Sequence, residues 1–181
     1  MACLTNSGIL LNCGDQSTPG LKNVWIGSLS GLSYDDLVFD ADGVITGMSA
    51  AVAASPADTW YKYESTKQTA SYSEEGAIDI TMNSIGYNSR LVMRFSRQEF
   101  DKRNEMRYLA STVTCAIIED YNGQFRLVAG ENGFTPEVLN TLTGGAFGEG
   151  NIYDVTLLGQ ESDLSPFIDS KSVFEDYIDL P

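Results

Sequence analysis

Histidine is absent from this 181-residue sequence. That absence removes the usual imidazole base, the commonest metal ligand and every Ser–His or Cys–His pairing. Cysteine is scarce, with only Cys3, Cys13 and Cys115. An odd count does not describe a disulfide framework, and three thiols without an imidazole fall one ligand short of a structural zinc site. The expectation is buried reduced thiols, with Cys115 a small hydrophobe inside the apolar run from Val113 to Ile118. No apolar run approaches the roughly 18 residues of a membrane span. The opening Met1-Ala2-Cys3-Leu4-Thr5-Asn6 lacks the basic and apolar regions of a secretory leader, so synthesis and assembly in a cytoplasm are expected.

Basic residues are also few. Eleven Lys and Arg stand against 25 Asp and Glu, for a formal net charge of −14. This argues against a protein that grips nucleic-acid phosphates. It is compatible with a wall past which DNA slides, because like charge opposes adhesion. Eight of the eleven basic side chains fall in residues 59–111, against seven acidic ones. Such a basic region on an acidic molecule suits contact with an acidic neighbour, although a solvated helix face would carry the same residues.

With 43% apolar and 10% aromatic residues the composition is globular. Residues 1–20 read as an extended arm, rich in Gly, Asn, Ser and Thr. Leu21 to Gly27 reads as a strand anchored by Trp25, residues 28–43 as an acidic loop, and Gly43 to Ala53 as a further strand. Thr59 to Ser65 is an aromatic strand, with Trp60 expected on one face and Tyr61 and Tyr63 on the other. From Gln68 to Met82, apolar Tyr72, Ile78, Ile80 and Met82 alternate with polar neighbours, the period of a strand with one buried face. A bulge or bend is expected at Gly76. Asn83 to Gly86 supplies a turn, and Tyr87 to Phe95 returns with Leu91, Met93 and Phe95 opposite Arg90 and Arg94. A long hairpin over 68–95 follows.

Ser96-Arg97-Gln98-Glu99 fits a capping box and predicts a helix over 96–111. Met106, Leu109, Ala110 and Val113 would face the core, and Lys102, Arg103 and Arg107 the solvent. Val113 to Glu119 and Gln124 to Ala129 flank Asp120-Tyr121-Asn122-Gly123, an Asn-Gly hairpin turn. Residues 130–149 read as a Gly-rich excursion, and Ile152 to Leu158 as a last strand before an acidic tail. The fold class is therefore α+β, mostly β: an antiparallel β-sandwich or half-barrel with one flanking helix and a projecting hairpin.

Candidate chemistry is thin. Gly144 to Gly150 lacks the strand, helix and Lys-Ser/Thr of a phosphate loop, so a turning loop is expected. Asp40-Ala41-Asp42-Gly43 begins like a calcium loop but lacks the later ligands, so a plain turn is expected. Adjacent carboxylates such as Glu74-Glu75 point to opposite faces of a strand and form no glycosidase pair. The expectation is no catalytic residue, no cofactor and no metal. Trp60, Tyr61 and Tyr63 suggest a stacking platform for sugars or bases, with core and interface packing as the plainer alternative.

Several segments, in order and spacing, carry a family likeness: Met1 to Asn6 through Cys13, Leu21 to Gly27, Lys102-Arg103-Asn104-Glu105 through Ala110, Glu119 to Gly123, and Gly144-Gly145. They resemble virion proteins of tailed bacteriophages infecting gut Bacteroidales, the crAss-like phages and their relatives. The acidic tail after Pro166 is outside the likeness. It implies a tail-tube or neck-ring subunit, assembled in the host cytoplasm into the tail or neck of a virion. Its partners would be copies of itself and neighbouring tail proteins, with DNA only as transiting cargo and no membrane. The division expected is an arm at 1–20, a domain at 21–160 and an acidic arm at 161–181, both arms ordering on assembly. The subunit interface is expected at Trp25, Trp60, Tyr72, Arg90, Arg94, Lys102, Arg103, Arg107, Phe167, Phe174 and Tyr177. The alternative is a carbohydrate-binding or adhesive β module.

Overall fold

The computed structural model describes residues 17–48, 59–65, 68–79, 81, 84–146 and 149–179. The strands are β1 (Leu21–Ser28), β2 (Leu37–Phe39), β3 (Ile45–Met48), β4 (Trp60–Tyr63), β5 (Ser71–Asp79) and β6 (Ser84–Ser96). After helix α1 (Phe100–Ser111) come β7 (Thr114–Asp120), β8 (Phe125–Val128), β9 (Phe134–Leu142), β10 (Ile152–Glu161), β11 (Phe167–Ile168) and β12 (Ile178–Asp179). The fold is α+β and mostly β, with the strands joined in one open 12-stranded sheet. Its order runs β2-β3-β11-β8-β7-β9-β10-β6-β5, and β1 leaves this path by pairing with both β7 and β4, which in turn pairs with β12.

Strand β7 reads TCAIIED, and its first six residues are buried. Alternate side chains of a strand point to opposite faces, so β7 feeds two cores. Ala116 and Ile118 join Val24 and Ile26 of β1 in one cluster, together with Leu91, Met93 and Phe95 of β6, Val155 and Leu157 of β10, and Met106 and Leu109 of α1. Cys115 and Ile117 join Trp25, Trp60 and Leu127 in the other, covered by Ile45, Ile168, Phe174 and Ile178. Trp25, Phe125 and Phe174 meet ring to ring, with centroids 5.5 Å apart for Trp25–Phe174 and Phe125–Phe174. Gly27 is required beside Trp60, since a Cβ there would lie 2.9 Å from the indole.

Several expectations are corrected. The helix starts at Phe100, with Glu99 as its N-cap and no side-chain cap bond, so Ser96-to-Glu99 is not a capping box. Ser96 remains paired to Ile152 in the sheet, and Arg97 then adopts a left-handed φ of 64° before the helix can begin. Met106 and Leu109 face the core, while Ala110 and Val113 are exposed. No bulge occurs at Gly76, because β5 and β6 keep one register through Gly76–Tyr87. The excursion at 130–149 contains β9, whose mostly exposed residues and Pro136 disguise a strand. The loop at 28–43 contains β2 and two 3-10 turns.

Residues 161–179 form no loose arm within the described chain. They contribute Ile168, Phe174 and Ile178 to the second core and pair through β11 and β12. Apolar residues spaced through the acidic sequence explain this: Asp163, Asp169, Glu175 and Asp176 stay exposed while the apolar side chains insert. Most of the N-terminal arm, with Cys3 and Cys13, and residues 49–53 of the second strand lie outside the described residues. Thr18 donates its backbone N–H to Asn122 Oδ1 at 2.9 Å.

Truncating Phe174 to Ala should cost about 3–5 kcal/mol, as for a fully buried ring. Denaturant unfolding checks this, and a loss below about 1 kcal/mol would mean that the C-terminal segment is not part of the core.

Candidate interaction surfaces

Helix α1 lies across one face of β1 and β4 and leaves a groove of about 740 Å³ between them. Its lining includes Tyr61, Tyr63, Phe95, Met106 and Tyr108, with Lys102 and Glu105 as polar members. The alternation of β4 puts Trp60 in the second core and turns Tyr61 and Tyr63 toward this groove. Tyr63 donates its hydroxyl to Glu105 Oε2 at 3.1 Å. Burial raises the Tyr63 pKa, and the Glu105 charge adds to the rise, so the phenol stays protonated. Lys102 closes the junction between β6 and α1, donating to the carbonyls of Ser96 at 2.8 Å and Arg97 at 3.3 Å.

The hairpin of β5 and β6 is anchored at its base. Tyr72 Oη and Ser165 Oγ are 2.8 Å apart, and Ser165 donates its N–H and hydroxyl to Glu74 Oε1 at 3.0 and 2.9 Å. Toward the tip, Ile78 and Ile85 face each other across the ladder and are 66% and 61% exposed. No other strand covers the outer edge of β5 among the described residues.

A smaller cavity of about 190 Å³ is lined by residues including Tyr34, Glu131, Glu161 and Asp163. Glu161 is buried and accepts the backbone N–H groups of Glu131 and Asn132 at 3.3 and 3.2 Å. Burial raises its pKa, and these N–H bonds offset part of the rise. Among the described residues no group of three or more Cys, Asp or Glu side chains converges to hold a metal ion. Asp40 instead accepts the N–H groups of Asp42 and Val44 at 2.9 and 2.8 Å, an Asx turn. In the Gly-rich loop the Glu149 carboxylate accepts the N–H groups of Gly145 and Ala146, the donors a phosphate would need.

The eleven interface candidates separate by environment. Trp25, Trp60 and Phe174 are at most 3% exposed, so their rings pack within the chain and offer no surface to a partner. Aromatic size marks cores as readily as interfaces. Tyr72 and Tyr177 are half-buried, and Tyr177 donates to the Met48 carbonyl at 3.5 Å. Arg90 pairs with Glu137 at 3.0 Å, and Arg94 forms a two-nitrogen contact with Asp154. Phe167 lies under the Arg126 guanidinium at 4.2 Å. Arg103 and Arg107 are exposed on α1. Sequence reading missed exposed Phe100 and Tyr108 on the same helix; their placement away from Met106 and Leu109 was the available signal.

No family model, curated protein or solved structure matches the chain. Among the described residues, no helix is long and apolar enough to cross a membrane.

Glu161 yields a pH test. A raised native pKa means that its contribution to stability is fully present below the ordinary Glu value and is lost as pH rises through the native one. Glu161→Gln is therefore expected to melt at or above the parent at pH 7, with the difference shrinking below about pH 4.3, the ordinary Glu pKa. Thermal melts across pH check this; an equal destabilisation at every pH would contradict it.

Proposed function

We propose that this chain is a non-catalytic, ring-forming structural subunit of a phage tail tube or head-to-tail neck, part of a conduit for DNA. The exposed Ile78–Ile85 pair toward the tip of the β5–β6 hairpin carries the reading, and among the described residues no other strand lies along the outer edge of β5. An exposed apolar cross-strand pair beside the outermost described strand is a ready surface for a neighbouring chain. The net charge of −14 supports a conduit, because a wall of that sign repels phosphates. The likeness of five segments to phage virion proteins supports the choice of assembly.

A second reading rests on the groove. Tyr61 and Tyr108 are 47% and 66% exposed beside polar Lys102 and Glu105, a combination suited to stacking and hydrogen bonding with a sugar. Titration with glycans would then give a saturable change in Tyr and Trp fluorescence.

The assembly reading predicts concentration-dependent oligomers that Ile78→Asp/Ile85→Asp weakens by at least about tenfold, since each buried Ile is worth about 1.5–3 kcal/mol. Sedimentation velocity checks this, with circular dichroism showing a retained fold. Equal association of both proteins would remove the hairpin from the interface. Negligible DNA retardation at physiological salt is also expected, and tight salt-sensitive binding would contradict the conduit.

A further inference from the structure

Nearly every described cation is engaged within the chain. Lys22 pairs with Glu119, Lys62 with Glu64, Arg90 with Glu137, Arg94 with Asp154, Arg97 and Lys102 with Glu99, and Lys171 with Glu175. Arg126 sits over Phe167. Among the described residues Arg103 and Arg107 have no such partner, and they stand one turn apart on α1. Phe100 shares this outer face by helical spacing, and Tyr108 flanks it; they are 72% and 66% exposed. Met106 and Leu109 occupy the opposite, buried face.

We infer that the outer face of α1, through Phe100, Arg103, Arg107 and Tyr108, is the docking surface for an acidic face of a second copy of this chain. This rests on the assembly reading and deepens it by naming one side of the contact. Aromatic residues and Arg are the side chains enriched where interfaces concentrate their energy. The occupant follows from charge: eighteen of the 25 acidic residues lie outside residues 59–111, so a second copy presents abundant carboxylate to two unpaired guanidinium groups. Asp101 and Glu105 are also exposed on α1, but carboxylates are most numerous outside the segment that holds it, so Arg103 and Arg107 of one copy would meet a different region of the next. Such head-to-tail contacts generate rings when the rotation closes.

Sedimentation velocity over a concentration series, at low and high NaCl, tests the assignment. Arg103→Glu/Arg107→Glu should weaken association of the parent by at least about tenfold, and added salt should weaken the parent itself. Lys22→Glu/Lys171→Glu changes net charge equally and should weaken it by less than about threefold, separating a local contact from general repulsion. Phe100→Ser/Tyr108→Ser should weaken association without changing charge, and far-UV circular dichroism establishes that each variant keeps its fold. If the parent associates and both α1 variants associate equally well, the α1 assignment is overturned while the assembly reading stands. If the parent stays monomeric at every concentration, both are overturned.

Discussion

The ladder between β1 and β7 is the constraint on which the rest depends. It aligns seven residue pairs, from Leu21–Asp120 to Ser28–Thr114, and both faces are dry. A strand pair buried on both sides must satisfy its backbone groups within the sheet and receive apolar cover from two directions. Strands β6 and β10 with α1 supply one cover. The segment from β11 to β12 supplies the other, and Phe174 against Trp25 and Phe125 closes it. The C-terminal segment is consequently part of the fold, despite its acidic composition.

How far the sequence discloses this architecture depends on where each element's partners lie. Strands with strong local patterns were legible: β1, β4, β7, β8 and β10 fall where apolar runs or alternation put them, and β6 does from Tyr87 onward, while Ser84 to Gly86, expected as a turn, already belong to it. The Asn122-Gly123 turn was legible for a backbone reason, with Gly123 at a φ of 81° and Asp120 accepting the N–H groups of Asn122 and Gln124. Burial opposes ionisation of Asp120, but the bonds from Gln124 and Asn122 outweigh it and lower its pKa. Strand β9 was not legible, because most of its residues are exposed, Pro136 interrupts it and its residues alternate only weakly, although it pairs with the next strand, β10. Strands β11 and β12 span two residues each and exist through pairing with β8 and β3 and with β4 respectively, a tertiary event without a local signature.

The candidate surfaces were legible in part. Arg103 and Arg107 were readable because charge on a helix opposite buried Met106 and Leu109 must face water. Arg90 and Arg94 carry the same charge, yet their neighbours across the sheet are Glu137 and Asp154, which sequence distance conceals. A large ring such as Trp25 or Trp60 signals burial without saying whether the cover is internal or foreign; in this chain both are buried internally. The surfaces that remain are the exposed isoleucines of the hairpin, the groove beside α1 and the outer face of α1. The hairpin isoleucines and the outer face of α1 lie on different elements, while the groove and the outer face of α1 share Tyr108.

Electron microscopy of the purified chain at high concentration tests the central claim of self-assembly most directly. Closed rings or stacked tubes, built from repeating copies with the β5–β6 hairpin and α1 at subunit boundaries, are the predicted result. A uniform field of isolated particles the size of one 19.7 kDa chain would contradict it.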